Sequence, residues 1–179
     1  RGKLVSSWSF FSIKACYLIL KATNLRIFVG FSSWKKLEEE NPALAEFGSV
    51  RLDGKVAYLA TTRSDGRPRA HPVTPVIGGG FIFVFLNAES PRTTDLLVKP
   101  DFSLHCFMND SSGSSGEFQV NGWAKKIEDT ALRSLAESFS NFRPATSSNL
   151  FELLITDALS TIYRGGRPLR DRWTADTER

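Results

Sequence analysis

Three strand-like runs, residues 56–62, 69–77 and 81–87, follow one another with only short turns between them. Asp65-Gly66 joins the first pair, and Gly78-Gly79-Gly80 joins the second. Both are tight-turn sequences, so the runs are read as antiparallel neighbours. The same pattern continues downstream, with a strand over 102–108, a second in "EFQVNGWAKKIE" and a third in "LFELLITDALSTIYR". Gly122 inside the second marks a bulge or a close backbone approach.

Short helices are interleaved with these strands. "SSWKKLEEENPALAEFG" reads as two helical pieces, with Asn41 as N-cap, Pro42 at the first helical position and Gly48 as the stop. A helix over 91–99 ends before Pro100. Asp129 caps another, whose Leu132, Leu135, Ala136 and Phe139 share a face. "NDSSGSSGE" between strands is a flexible loop. The expected architecture is an α+β domain organised around a β-barrel or curled sheet.

A length of 179 residues with 41% hydrophobic content suits one domain with a sizeable core. The net charge of +4 comes from scattered Lys and Arg. No basic stripe with interleaved aromatics is present, so a nucleic-acid partner is not expected. Cys16 and Cys106 lie far apart, as buried or incidental thiols of a cytoplasmic protein. The apolar runs of the first thirty residues are interrupted by Lys14, Lys21 and Arg26. They fall short of the roughly 20 apolar residues a span requires, so no membrane association is expected. Residues 1–32 are read as an N-terminal extension and 33–179 as the functional domain.

The chemistry concentrates at two places. In "TTRSDGRPRAHPV", alternation puts Arg67, Arg69, His71 and Val73 on one face and Ala70, Pro72 and Thr74 on the other. Pro72 and Pro75 take no part as ladder donors, so this arm is expected at an edge, giving up regular pairing. Such a face serves either as a charge-guarded solvent edge or as the lining for a bound anion. In "NAESPRTTDLL", Ser90 is the expected N-cap, Pro91 the first helical residue, and Arg92, Thr93 and Thr94 the first turn. Helix starts carry unpaired N–H groups that bind phosphate. An arginine there opposes the dipole by roughly 0.3–1 kcal/mol unless an anion is bound. His105 alternates with aromatics and reads as a core or interface residue. Glu38-Glu39-Glu40 reads as a solvated helix face, and Trp123 and Trp173 read as packing residues by default. Neither a nucleophilic triad nor metal spacing is present in the sequence.

The order "YLATTRSDGRPRAHPVTPV", "FIFVFLNAESPRTTDLLVKPDFSLHCF", "VNGWAKKIED" resembles the pyridoxamine 5′-phosphate oxidase-like, flavin-binding split-barrel superfamily. The resemblance covers residues 33–173. It implies an antiparallel six-stranded split β-barrel with short flanking helices, working as a homodimer with FMN at the interface. It implies cofactor contacts from Arg69, Ala70, His71, Pro72 and Val73, from Asn87, and from Ser90, Arg92 and Thr93 at the phosphate. Trp173 would reach the partner subunit's flavin. The implied activity is FMN-dependent oxidoreduction, with a small-molecule substrate or a nicotinamide donor left unnamed. A deazaflavin-dependent reductase and a non-catalytic flavin-binding protein are the alternatives. Glu117 stands where the superfamily often has a basic or amide residue. "GGRPLRDRW" does not reproduce the Arg- and His-rich motif of pyridoxamine phosphate oxidases, so vitamin B6 oxidation is not expected.

Overall fold

The computed structural model describes residues 30–175. Helices α1 (Trp34–Glu40) and α2 (Pro42–Leu52) precede strands β1 (Ala57–Thr62), β2 (Pro68–Val73), β3 (Val76–Gly78) and β4 (Phe81–Asn87). Helix α3 (Pro91–Val98), strands β5 (Asp101–Cys106) and β6 (Glu117–Ile127), helix α4 (Thr130–Phe139), and strands β7 (Ser148–Arg164) and β8 (Arg167–Thr174) complete an α+β fold. The expected extension lies outside the described residues except at 30–32, as does Cys16. Within that short piece Ser32 exchanges backbone hydrogen bonds with Ile155 at 3.0 and 2.8 Å. No helix among the described residues is long and apolar enough to cross a membrane.

All strands join one antiparallel sheet in the order β2-β1-β5-β6-β7-β4-β3, with β8 also paired to β7. The two ends of that order, β2 and β3, are joined in the chain only by Thr74 and Pro75. The sheet must therefore curl until its ends lie near one another, a barrel left split at one seam. Among the described residues, eight strands replace the six expected. Thr74-Pro75 divides one expected run into β2 and β3, and β8 is an addition. Its sequence, "RPLRDRWT", buries only Trp173, so it carries no hydrophobic alternation to read. Gly165 and Gly166, at φ +56° and +74°, make the two-residue turn from β7.

The main core gathers Trp34, Leu37, Leu59, Leu104, Phe118 and Ile155 inside the curl. Gly48 does not stop a helix, since α2 runs on to Leu52. A Cβ at Gly48 would lie 2.4 Å from the Phe118 ring, so glycine is there for close packing rather than termination. Gly122 meets both expectations: the β6–β7 register shifts at Asn121/Gly122, and a Cβ there would lie 1.9 Å from the Leu154 carbonyl oxygen. Asp129 caps α4, its Oδ1 accepting from the Ala131 and Leu132 N–H groups at 2.7 and 3.0 Å. That helix covers a second cluster of Val76, Phe83, Ala136 and Leu150.

Glu38, Glu39 and Glu40 are exposed, as expected for a solvated face, and Glu40 also makes tertiary contacts. Its carboxylate accepts the Trp173 indole N–H at 2.7 Å and pairs with Lys36 at 2.6 Å. The loop over 109–116 is likewise more organised than its composition suggests. Asp110 accepts from the Ser112 hydroxyl and from the Ser114 and Ser115 N–H groups at 2.7–3.1 Å.

Candidate functional site

The hairpin between β1 and β2 closes with Arg63 N–H donating to the Arg67 carbonyl and Gly66 N–H to the Arg63 carbonyl, both at 2.9 Å. Gly66 takes φ +87°, which the turn demands. The register then sets Thr61 opposite Arg69, Leu59 opposite His71 and Ala57 opposite Val73. In phase with Arg63/Arg67, these alternate pairs carry the ladder bonds. The backbone groups of Pro68, Ala70 and Pro72 consequently face away from β1. The prolines thus fall where no ladder N–H is lost. β2 pairs along its whole length with β1, correcting the expectation that this arm gives up regular pairing. It is an edge strand, as expected.

Side-chain alternation follows the sequence reading. Arg69 and His71 are half-buried and Val73 is buried, while Ala70 and Pro72 are exposed on the other face. Val73 belongs to the core, and its backbone faces β1. Across from this face lies the start of α3. Ser90 occupies the N-cap position but its hydroxyl makes no capping bond, and no acidic residue stands in the first turn. The turn is instead held by Asn87, whose carbonyl accepts the Ser90 N–H at 3.0 Å and the buried Thr93 hydroxyl at 2.7 Å. Asn87 Oδ1 accepts the Glu89 N–H at 2.9 Å.

Four polar ties bind α3 and the residue after it to the hairpin. Buried Asp95 Oδ2 accepts the Thr61 hydroxyl at 2.8 Å and lies 3.2 Å from Arg69 Nε. Arg92 Nη1 donates to the outward-facing Pro72 carbonyl at 3.0 Å, and Lys99 Nζ donates to the Ser64 carbonyl at 3.1 Å. The resulting cluster holds three guanidinium groups, Arg63, Arg69 and Arg92, against the single Asp95 carboxylate around His71. Burial first, then Arg92 and Arg69, with a smaller push from Arg63, holds the His71 pKa below its usual range, and Asp95 opposes them.

The hydrogen-bond account of this cluster does not close. Nε of Arg63, Arg69 and Arg92 and Nε2 of His71 are buried without a hydrogen-bond partner. The Arg69–Asp95 contact is therefore an ion pair by distance without hydrogen-bond alignment. A buried donor left unmade costs about 1–3 kcal/mol. Several such donors in one net-positive cluster suit an anion with several acceptor oxygens.

Of the residues singled out in the sequence, Arg69, His71, Arg92, Asn87, Ser90 and Thr93 come together here. Trp173 does not: it is buried and donates to Glu40 of its own chain. Trp123 stacks on Phe31 at 5.6 Å. His105 is half-buried with Nε2 3.5 Å from Glu117 Oε2. Three residues of the cluster escaped the sequence reading: Arg63, Thr61 and Asp95. Arg63 and Thr61 were within reach, because the hairpin register puts Thr61 opposite Arg69 and period-two alternation puts Arg63 on the same face.

No protein-family model matches the chain, and no curated protein matches it. Solved structures do, at 19% identity or less, and what they share with it is the fold. A heme binding protein from Mycobacterium smegmatis aligns with a TM-score of 0.60 and 19% identity over 75% of this chain. The present chain spans 59% of that protein's length. A NimC/NimA family protein from Clostridium acetobutylicum aligns with a TM-score of 0.54 and 16% identity, over 78% of this chain and 94% of the other. A pyridoxinephosphate oxidase family protein from the same organism, related to general stress protein 26 of B. subtilis, aligns at 0.52 and 12%, over 76% and 94%.

Proposed function

We propose that this protein is an FMN-binding oxidoreductase that works as a homodimer with the flavin between its subunits. The observation that carries this reading is the group of buried, unpartnered nitrogens on Arg63, Arg69, His71 and Arg92. Arg63, Arg69 and Arg92 would hold the phosphate, and the Ser90 hydroxyl, which caps nothing, adds a donor. The open edge of β2 would face the ring system with the Ala70 N–H and the Pro68 and Ala70 carbonyls. Bound there, FMN supplies hydride or electron transfer through its N5 atom.

The chain's own residues bind, orient and exclude water, which suits a site without an acid–base pair. Thr61 and Asp95 fix the Arg69 side chain from the neighbouring strand and helix. Arg92 ties the helix start to the β2 edge. Exposed Tyr58, Phe107 and Val56 make an apolar patch beside Pro72, which supports covering by a second copy. The free, buried thiol of Cys106 fits a reducing cytoplasm. The substrate is a small molecule, with a nicotinamide as candidate electron donor.

A second reading is haem binding, because the M. smegmatis neighbour is a heme binding protein and a cationic cluster would also suit propionates. The visible spectrum of the purified protein, with the mass of the released chromophore, separates these readings. Flavin bands and the mass of FMN are expected. A Soret band would favour haem, and a deazaflavin mass the related reductase. A colourless protein that stays colourless on adding FMN contradicts the proposal. Reduction by NADPH then distinguishes an enzyme from a flavin-binding protein.

A further inference from the structure

The nitrogen donors of the anion site are of two kinds. Arg63, Arg69 and Arg92 are permanently charged, whereas an imidazole changes charge near neutral pH. His71 Nε2 is buried and unpartnered. The groups that face the ring are Arg63 from the hairpin turn, Arg69 from its own strand, and Arg92 and Asp95 from α3. Three cations against one carboxylate favour the uncharged ring in the free protein. A phosphate dianion among the same groups would invert that local field and place acceptor oxygens where Nε2 has none.

We infer that His71 is the proton-accepting member of the site, neutral in the free protein and charged once a phosphate-bearing ligand is bound. This rests on the phosphate-site reading above. Burial and the neighbouring arginines hold the free imidazole below its ordinary pKa, and a bound dianion raises it. Between those two values the complex carries more protons than its separated parts. Affinity therefore rises as pH falls through the pKa of the complex, by up to about tenfold per pH unit. It stops rising below the pKa of the free protein. The ligand works in the opposite sense, since a phosphomonoester with a second pKa of about 6 loses charge in acid. The His71 contribution is the part that His71→Gln removes.

Titration calorimetry of FMN into the purified protein at about pH 7, in buffers of different ionisation enthalpy, counts these protons. The expected result is net proton uptake by the wild type. His71→Gln should show none, or slight release, and riboflavin, which lacks the phosphate, should give none with either protein. Equal proton counts for wild type and variant, both binding FMN, overturn the inference and leave the FMN reading intact. Failure of the folded wild type to bind FMN overturns both. Imidazole NMR on the wild type provides a check that needs no substitution, because the chain has only two histidines. The His71 midpoint should move upward on adding FMN; an unmoved or lowered His71 midpoint refutes the inference.

Discussion

Arg51 and the trio Arg63, Arg69 and Arg92 use the same side chain in opposite ways. Arg51 donates to the carbonyls of Phe47 at 3.1 Å, Gly116 at 3.3 Å and Ser115, and its guanidinium lies 3.4 Å from the Phe47 ring centroid. All three of its nitrogens are engaged. It staples α2 to the loop that closes on Asp110, whose carboxyl the Ser115 and Ser112 donors hold well below the usual carboxylate range. In the trio, each Nε is buried and unbonded. On the proposed function, unspent hydrogen-bonding capacity, rather than positive charge, separates the ligand-binding arginines from the structural one.

Substitutions on each side of that contrast should have opposite signatures. Arg69→Glu removes a donor and puts a like charge beside Asp95, so FMN affinity should drop by more than about 100-fold, with Arg69→Ala losing roughly 10- to 100-fold. Fluorescence titration of FMN reads both. Arg51→Ala should instead lower stability by about 2 kcal/mol, seen as a fall in Tm, through three abandoned carbonyls and lost stacking. Its FMN affinity should hold within about twofold, since the site's donors are untouched. A large affinity loss in Arg51→Ala would erase the distinction.

Thr61→Val probes the support of the site rather than its donors. Losing the hydroxyl that Asp95 accepts should cost about 1 kcal/mol, about fivefold in FMN affinity through Arg69, and Thr61→Ser should restore it. Asp110→Asn should have the smallest effect. Hydrogen exchange over 109–116 should quicken while FMN binding stays the same, because the bonds Asp110 accepts come from its own loop.

The two corners differ as much in how readable they are. The hairpin and the Ser90-Pro91-Arg92 helix start announce themselves, because turn chemistry and charge sit together in a few consecutive residues. Asp95 does not, since an acidic residue in "TTDLL" looks like any solvent-facing helix position until tertiary packing buries it against Thr61. Gly48 misleads for a related reason: glycine as a stop and glycine as a gap for Phe118 look alike in one dimension. β8 hides because five of its eight residues are charged or proline-like surface types that no periodicity marks, and only Trp173 is buried. Arg51 was invisible as a staple, its acceptors being backbone carbonyls from a Gly/Ser loop.

Comparing the affinities of FMN and riboflavin for the same protein isolates the phosphate site, because the two ligands differ only by the phosphate. FMN should bind at least about 100-fold more tightly, a preference of roughly 3 kcal/mol. The Arg69→Ala/Arg92→Ala double variant should lose most of that preference. Equal affinity for the two flavins in the wild type would contradict a phosphate site at these arginines.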